Sequence, residues 1–512
     1  MAKGKHSTAL FEVIHSGKKP DRVAQTIETQ GSSQPDLRAE VLAYHSVNAG
    51  PFGDPVKAAR YCRQAADVAA RQGAWSEAAR FLAEGLGALS ASDTEAAQQL
   101  RCDLLLDRGR ACRNAGDVVG AHDALAQVIA LADRLGDHNT VAEAGALYGQ
   151  VAPWGTRRYG ERDLAVIAVL EDQLERLTGE ADRPMRARIL ATLGCELYYT
   201  DRHVDGERFS RQGIELARQL GDAELLGFAL TNYWTAARQH HRDAEGRAAT
   251  EETLALAGKG LPKRIELTAR MHHLNELARS GDLADYDVEL SRCKQLAAEL
   301  HSPEVDGQLG WAEASRAIFD ARWDDAERIG AQAYEQMRHT SAPGSEWSRL
   351  AGRVTVARGR GRLGELADEL RRCVEPPEFH MFRAAVSLAY AQAGQIEVAQ
   401  ELAERWAEPP ADDWTWMMPM AYWAEVSTLI GVPDPQWVHD AIEPYSGQLA
   451  VVGTALDCGG AVDSLLAGLN ARLGRSDAAL RYARDGLRME RRAGLRAWIP
   501  RTTQLVMTLE TP

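Results

Sequence analysis

Apolar residues recur at spacings of three and four along most of this chain, which is the pattern of amphipathic helices that bury one face. A typical stretch runs from Arg101 to Ala115, breaks at a turn, and continues from Val118 to Leu135. No alternating stretch is long enough to build a layer of strands. The pattern therefore predicts an all-α protein made of helix pairs, at least about two-thirds helical and with no sheet.

Turn residues separate the two helices of each predicted pair, at a spacing close to forty residues. They are Gly73, Gly116, Gly160, Thr200, His241, Gly281, Ala321, Gly361, Gly394, Gly431 and Gly474. A regular period of this length indicates stacked helical repeats. The spacing predicts a tetratricopeptide-like α-solenoid, a right-handed superhelix of about eleven helix pairs.

A small residue follows many of these turns by five positions, in the first turn of the second helix. The residues are Ala78, Ala121, Ala165, Ala326, Ala399 and Ala479. A short side chain at this position lets two helices cross closely, as in tetratricopeptide repeats. Trp75 and Trp323 each lie two residues after a turn site, where we expect an aromatic side chain to pack adjacent helices.

Stacked repeats share one elongated core, so residues 37–512 are predicted to form one continuous superhelix. Proline and glycine breaks predict hinges near 341–346 and 409–413. Residues 1–36 form a basic and polar N-terminal segment that we expect to be partly disordered, as chain termini commonly are. The alternative is a short docking or membrane-surface segment.

The net charge of −14, from 59 basic and 73 acidic residues, argues against nucleic acid as a partner, because that interaction needs a dense basic surface. No apolar run approaches the roughly 18 residues of a membrane-spanning helix, so no membrane partner is expected. The seven cysteines are widely spaced and mostly lie inside helical stretches. They indicate small buried side chains in a reducing compartment, and hence a cytoplasmic protein.

An insertion between Val151 and Asp163 combines aromatic and basic side chains in a loop longer than a repeat turn needs. Its candidate partner-binding residues are Trp154, Arg157, Arg158 and Tyr159. Loops without a packing role often carry binding groups, and Trp, Tyr and Arg are enriched among binding hot spots. The alternative is that Trp154 folds back onto the adjacent helix as a structural plug.

A second candidate surface lies in the aromatic and methionine-rich stretch from Trp414 to Trp423. Trp416, Met420 and Trp423 share one helix face and are predicted to be core. Seven large side chains do not fit one stripe, so we expect Trp414, Met417 or Met418 to be exposed on the groove. There they would act as adaptable anchors for a peptide or a small molecule.

The sequence Gly359-Arg-Gly-Arg-Leu-Gly364 matches the glycine pattern of dinucleotide-binding loops, and Val354 to Val356 before it could form a strand. These glycines coincide with a repeat turn, which is the favoured interpretation. A modest anion site on Arg358, Arg360 and Arg362 is the alternative.

The remaining candidates for chemistry are weak. The pairs His240-His241 and His272-His273 lack a metal-binding motif, even with Glu276 one turn after His272. Ser291 and Lys294 have the spacing of a nucleophile pair, but they lie mid-helix with no partner motif. We therefore predict no catalytic, cofactor-binding or metal-binding residues.

Four phrases near the end of the chain occur in an ordered series: Glu443 to Gly453, Gly459 to Asp463, Leu473 to Ala479, and Ala493 to Trp498. This series resembles the C-terminal tetratricopeptide-like region of large bacterial signalling ATPases that carry a LuxR-like DNA-binding domain or a class III nucleotidyl cyclase domain. Residues 22–50, with Tyr44-His45, look like the segment that follows the ATPase in those proteins.

The resemblance implies a sensor or interaction region and carries no catalysis. No Gly-x-x-x-x-Gly-Lys-Ser/Thr loop is present, and too few residues follow Trp498 for a helix-turn-helix domain. We therefore expect a non-enzymatic protein-interaction scaffold or sensor that binds a protein or peptide in a concave groove formed by the first helix of each pair. The alternative is the effector-sensing part of a bacterial regulator, binding a small molecule and separated from its output domain.

Overall fold

The computed structural model describes residues 35–50, 53–149, 159–237, 243–300, 303–338, 340, 344–453 and 457–511. The described residues form two compact units. The first comprises Met1–Gly149 with Asp163–Met185, and the second comprises Gln150–Arg162 with Arg186–Pro512. The hinges predicted at 341–346 and 409–413 both lie within the second unit, and the single superhelix over 37–512 stays a prediction. Apart from Pro35 and Asp36, the N-terminal segment lies outside the described residues.

The first unit is built of successive helices that pack in pairs. They are α1 (Pro35–Asn48), α2 (Pro55–Arg71), α3 (Trp75–Ala88), α4 (Glu95–Ala115), α5 (Val118–Leu135), α6 (His138–Tyr148) and α7 (Leu164–Arg176). Local sequence sets where these helices begin. At α2, the Asp54 carboxylate accepts the main-chain N–H groups of Val56 and Lys57 at 2.9 and 3.2 Å. This contact satisfies donors that the first turn leaves without an intrahelical partner.

The second unit continues the same pattern to the end of the chain. Its first helix is α8 (Arg183–Glu196), of which Arg183–Met185 are assigned to the first unit. The next are α9 (His203–Leu220), α10 (Ala223–Ala236), α11 (Asp243–Leu254), α12 (Lys263–Ser280), α13 (Leu283–Leu300), α14 (Pro303–Phe319), α15 (Trp323–Met337) and α16 (Ser345–Gly359). There follow α17 (Ala367–Cys373), α18 (Arg383–Gln392), α19 (Ile396–Trp406), α20 (Met417–Ile430), α21 (Pro435–Ile442), α22 (Val462–Arg472), α23 (Ser476–Ala493) and α24 (Ile499–Glu510).

The predicted turn sites fall between helices, except that His241 lies outside the described residues. Gly116 shows why glycine recurs there. Its φ of 79° closes α4, with its N–H donating to Arg113 O at 3.2 Å and the Asp117 N–H donating to Cys112 O at 2.9 Å. Ala321 adopts a φ of 57° at the equivalent turn without being glycine. The all-α prediction and the tetratricopeptide-like repeat fold are confirmed.

The small-residue prediction is confirmed at five of its six positions. Ala78, Ala121, Ala326, Ala399 and Ala479 are at most 4% exposed. It is wrong for Ala165, which is exposed. The turn at Gly160 is longer than the turns before the five buried alanines, since α7 begins four residues later at Leu164, and Val166 and Ile167 take the buried positions instead.

A β-hairpin near the C-terminus departs from the prediction of no sheet. Strand β1 (Leu449–Val452) pairs antiparallel with β2 (Asp457–Ala461), with Leu449 opposite Ala461 and Val451 opposite Cys458. All four residues of β1 are buried. A short run that is apolar on both faces has no alternation, so periodicity does not separate it from a buried helix turn.

The hairpin packs onto helices far from it in sequence. The Asn275 amide on α12 donates to Gly453 O, and Arg279 donates to Gln448 Oε1 at 3.0 Å. On α16, Arg358 donates to Cys458 O at 3.1 Å. Part of the surface of α12 and α16, both first helices of predicted pairs, is therefore covered by the chain's own hairpin.

Glu490 on α23 is a fully buried acid in the C-terminal part of the second unit. Its Oε1 accepts from the hydroxyls of Ser464 and Thr502 at 3.0 Å each and from the Ala461 N–H at 3.3 Å. Among the described residues, Oε2 has no hydrogen-bond partner. Burial raises the pKa of Glu490 above its usual 4.5, against the opposing effects of these donors and of the Arg501 charge.

We expect this carboxyl group to make the second unit more stable as the pH falls. Because the folded-state pKa lies above the unfolded value, the folded protein holds a proton that the unfolded chain has released. That contribution is lost as the pH rises through the folded-state pKa. The Glu490→Gln side chain is neutral at every pH. The gain in stability of this variant over the parent protein should therefore be largest at neutral pH and smallest at mildly acidic pH. Melting temperatures across that range measure the difference, and a pH-independent difference would contradict the prediction.

Candidate functional site

Half-buried aromatic side chains from well-separated segments meet in the second unit. This aromatic cluster consists of Tyr159, Tyr198, Tyr199, Trp347, His380 and Trp414. Tyr159 lies in the turn before α7, and the tyrosine pair lies in the turn after α8. Trp347 is in the first turn of α16, His380 is in the short 3-10 helix Pro377–Phe382, and Trp414 precedes α20.

Asp413 is bonded to Tyr159 of the cluster and is only 6% exposed. Its Oδ2 accepts the hydroxyl of Tyr159, while Oδ1 accepts the N–H and the hydroxyl of Thr415 at 2.8 and 2.7 Å. Burial and the adjacent Asp413 carboxylate both raise the pKa of Tyr159, so its hydroxyl stays protonated and acts as a donor. The Tyr159 ring lies 5.0 Å from the His380 ring.

Trp414 is held at two points by the tyrosine pair. Its main-chain N–H donates to the Tyr198 hydroxyl at 3.0 Å, and its indole Nε1–H donates to the Tyr199 hydroxyl at 2.9 Å. A tryptophan with its backbone and its ring both bonded has little rotamer freedom left. Its orientation is therefore fixed before any ligand arrives.

The rings of the cluster meet edge to face or tilted. Centroids of Tyr159 and Tyr199 lie 5.3 Å apart at 61°, and those of Tyr198 and Tyr199 lie 4.9 Å apart at 72°. Trp347 lies 5.2 Å from Trp414 at 56°. Aromatic rings prefer such contacts because a negative face meets a positive edge.

The structure corrects the expected exposure of the methionine-rich segment. Trp416, Met420 and Trp423 are core, as predicted, and Trp414 and Met417 are half-buried. The expected exposure of Met418 is wrong, because its side chain is only 1% exposed. Helix α20 is buried on nearly all sides, so its large side chains do not need to fit a single stripe.

Two of the sequence-predicted binding residues, Tyr159 and Trp414, come together in the cluster. Trp154, Arg157 and Arg158 lie outside the described residues. Sequence reasoning missed Tyr198, Tyr199, Trp347 and His380. The tyrosine pair gave a local signal, since two adjacent aromatic residues directly precede the turn site Thr200.

The glycine pattern at 359–364 has a structural explanation at each of its glycines, close packing at two of them and backbone conformation at the third. A Cβ on Gly359 would lie 2.2 Å from Cη2 of Trp323, and one on Gly364 would lie 2.9 Å from the main-chain N of Ala393. Gly361 has a φ of 69° in the turn after α16. Val354 to Val356 are helical, so the strand that a dinucleotide site requires is not formed there.

The three arginines of the alternative anion site are all bonded to carboxylates. Arg358 pairs with Glu425, Arg360 with Asp324, and Arg362 with Glu365. Arg358 is also only 1% exposed. The arrangement therefore does not offer three free guanidinium groups to an anion.

The other candidates for chemistry are placed in structural contacts. His272 is buried and stacks on Trp234, with centroids 3.6 Å apart. The Ser291 hydroxyl donates to Asp287 O within its own helix, and Lys294 pairs with Glu313. His240 and His241 lie outside the described residues. Within the part of the chain that the structure describes, no three His, Cys, Asp or Glu side chains group as metal ligands, and no helix is long and apolar enough to span a membrane.

No protein-family description matches the chain, and no curated protein sequence is similar to it. Similar solved structures include a Rap protein complexed with competence and sporulation factor, at 10% identity, with 65% of this chain and 88% of that one covered and a TM-score of 0.35. Yeast Tom70 is 11% identical, with 96% of both chains covered and a TM-score of 0.27. Ypp1 is 11% identical, with 98% and 95% covered and a TM-score of 0.36. Because these values are low, we assign the fold from the helix pairs described above, and the resemblance to signalling ATPases stays a prediction.

Proposed function

We propose that this protein is a non-enzymatic interaction module that binds a segment of a protein partner, and that the aromatic cluster is an anchor point for that segment. The observation that carries the proposal is the assembly of half-buried tyrosine and tryptophan side chains from distant segments at one place. Tryptophan and tyrosine are the residues most enriched among interface hot spots.

The hydrogen bonds of the cluster support a binding role. Trp414 is held by Tyr198 and Tyr199, and Tyr159 is held by Asp413. Ordering a side chain on binding costs about 0.5–1.5 kcal/mol, and a side chain that is already fixed avoids most of that cost. The cluster is therefore prepared to contribute affinity.

The proposal includes the concave groove that the first helices of the pairs are predicted to form. Because the β-hairpin covers part of the surface of α12 and α16, we favour the aromatic cluster over these two helices as the place where the segment binds.

We also propose a cytoplasmic location. It is supported by the seven cysteines, which are all free thiols, as expected in a reducing compartment.

A display library of random peptides, selected on the purified full chain, tests the proposed function. Selected peptides should bind the Trp347→Ala variant about 30-fold more weakly, the loss typical of a hot-spot tryptophan. Trp347 suits this test because its indole N–H has no hydrogen-bond partner among the described residues, so its removal breaks no hydrogen bond there.

Trp406→Ala is the matched control. Trp406 is also half-buried and packs against the same core as Trp347, but it lies outside the aromatic cluster. Peptide affinity should be nearly unchanged in this variant, with circular dichroism confirming that both variants are folded. Equal affinity for Trp347→Ala and the parent, or a library that yields no binding peptide, would refute the proposal.

A further inference from the structure

Asp413 is a buried carboxylate without a cationic partner among the described residues. The groups that bond it are the hydroxyl of Tyr159 and the N–H and hydroxyl of Thr415, all of them neutral. Two acids of the second unit differ in this respect: buried Glu289 pairs with Arg270 at 3.0 Å, and half-buried Glu425 pairs with Arg358. Buried Asp463 and Glu490 resemble Asp413, because the groups that bond them in the structure are neutral. A buried charge without an ion pair attracts a cation more strongly than a solvated one does.

Two of the segments that supply the cluster carry acids and no lysine or arginine, whereas the segment with Tyr159 also carries Arg157, Arg158 and Arg162. Residues 406–471, which include Asp413 and Trp414, contain no lysine or arginine. Residues 189–201, which include the tyrosine pair, contain none either, but they carry Glu196 and Asp201. The acids Glu408 and Asp412, six and two residues before Trp414 in the sequence, are exposed.

Two basic groups near the cluster in sequence have contacts outside it, while Arg157 and Arg158 lie outside the described residues. Arg349, two residues after Trp347, pairs with Glu346 at 3.0 Å. Arg383, three residues after His380, lies over the ring of Trp406 at 5.7 Å. The imidazole of His380 lies within the cluster itself, beside the Tyr159 ring.

The ring faces favour the same kind of ligand as the carboxylate. The face of a tyrosine or tryptophan ring carries the negative part of its quadrupole and attracts ammonium and guanidinium groups. A phosphate or a carboxylate would instead meet like charge at Asp413. Ring faces and an acid at one place are complementary to a cation.

We propose that the aromatic cluster and Asp413 bind a cationic side chain, an arginine or a lysine of the partner segment. This inference rests on the proposed function, because it names the chemistry of the anchor that the cluster would receive. The guanidinium or ammonium group lies against the faces of the rings, with Asp413 providing the balancing charge.

Fluorine NMR of the full chain labelled with 5-fluorotryptophan tests the inference. The Trp347 and Trp414 signals are assigned from the Trp→Phe variants, and N-acetyl-arginine amide is added at constant chloride. The Trp414 signal should shift and saturate, while the signal of Trp75 in the first unit should stay in place. N-acetyl-glutamate amide and N-acetyl-glutamine amide, at the same concentrations, should leave the Trp414 signal unchanged.

Asp413→Asn is the variant that isolates the charge. Asparagine has nearly the same shape, and its carbonyl oxygen can still accept from Tyr159 or Thr415. We expect the variant to bind the arginine probe at least about threefold more weakly, because ring faces without a neighbouring charge bind cations only weakly.

The outcomes separate this inference from the proposed function. Equal shifts with the glutamine or glutamate probes would identify a ligand surface without cation selectivity, which overturns the inference and leaves the proposed function standing. No shift with the arginine probe, or unchanged affinity in Asp413→Asn, would overturn the inference too. The proposed function is tested separately. It is refuted if the selected peptides bind the Trp347→Ala variant as tightly as they bind the parent protein.

Discussion

Replacing Arg358 with alanine should lower the unfolding free energy of the second unit by about 3–5 kcal/mol, the usual cost of breaking a buried ion pair from one side. Arg358 is 1% exposed, and its guanidinium donates to Glu425 Oε1 and to Cys458 O while lying 4.8 Å from the centre of the Tyr422 ring. It thus joins α16 to α20 and to the hairpin. Although burial raises the pKa of Glu425, the charge of Arg358 holds it below its usual value, so the variant leaves an ionised acid without its main partner.

Arg360→Ala is the matched control, two residues further along the same motif. Arg360 pairs with Asp324, whose side chain is fully exposed, and with Glu327 at 3.4 Å. Exposed pairs of this kind contribute about 0–1 kcal/mol. Urea denaturation of both variants measures the contrast. Similar midpoints for the two variants would mean that the contacts of Arg358 do not stabilise the unit as we infer.

The helices and their turns could be predicted from the sequence because the interactions that set them are local. The closure of α4 by Gly116 and the start of α5 at Asp117 depend on hydrogen bonds within a few residues. The buried alanines five residues after a turn follow from the same regularity. The prediction is wrong at Ala165, because the turn before it is longer and the fifth residue after Gly160 no longer lies on the buried face of the helix.

The aromatic cluster could be predicted only in part, because its contacts join residues far apart in the chain. Tyr159 and Asp413 are 254 residues apart, and Trp414 and Tyr199 are 215 apart. Periodicity shows which face of a helix is buried, but it does not show which distant turn meets that face. The local enrichment in aromatic residues identified Tyr159 and Trp414 as binding candidates. Only the fold shows that they lie at the same place.

The glycine pattern illustrates a second limit. Gly361 is required by a left-handed backbone conformation, whereas Gly359 is required by the close approach of the Trp323 indole. A phosphate-binding loop needs glycines for the same two reasons, namely a tight turn and a close neighbour. The spacing of the glycines therefore does not distinguish a ligand from a neighbouring side chain, and the helical conformation of Val354 to Val356 does.

Ala121→Leu should destabilise the first unit by about 1–3 kcal/mol, while Ala165→Leu should be nearly neutral. Both alanines lie five residues after a turn site, near the start of a helix of the first unit, and alanine and leucine have similar helix propensities. They differ in environment, since Ala121 is 0% exposed and Ala165 is exposed.

The helix pair that contains Ala121 is closely packed, as Gly109 on α4 shows: a Cβ added there would lie 2.7 Å from Leu125 on α5. A leucine at 121 therefore has to push the two helices apart, whereas a leucine at 165 extends toward solvent. Thermal and urea unfolding of the two variants measure the difference, and equal stability would show that a small residue at this position is not what lets the helices cross closely.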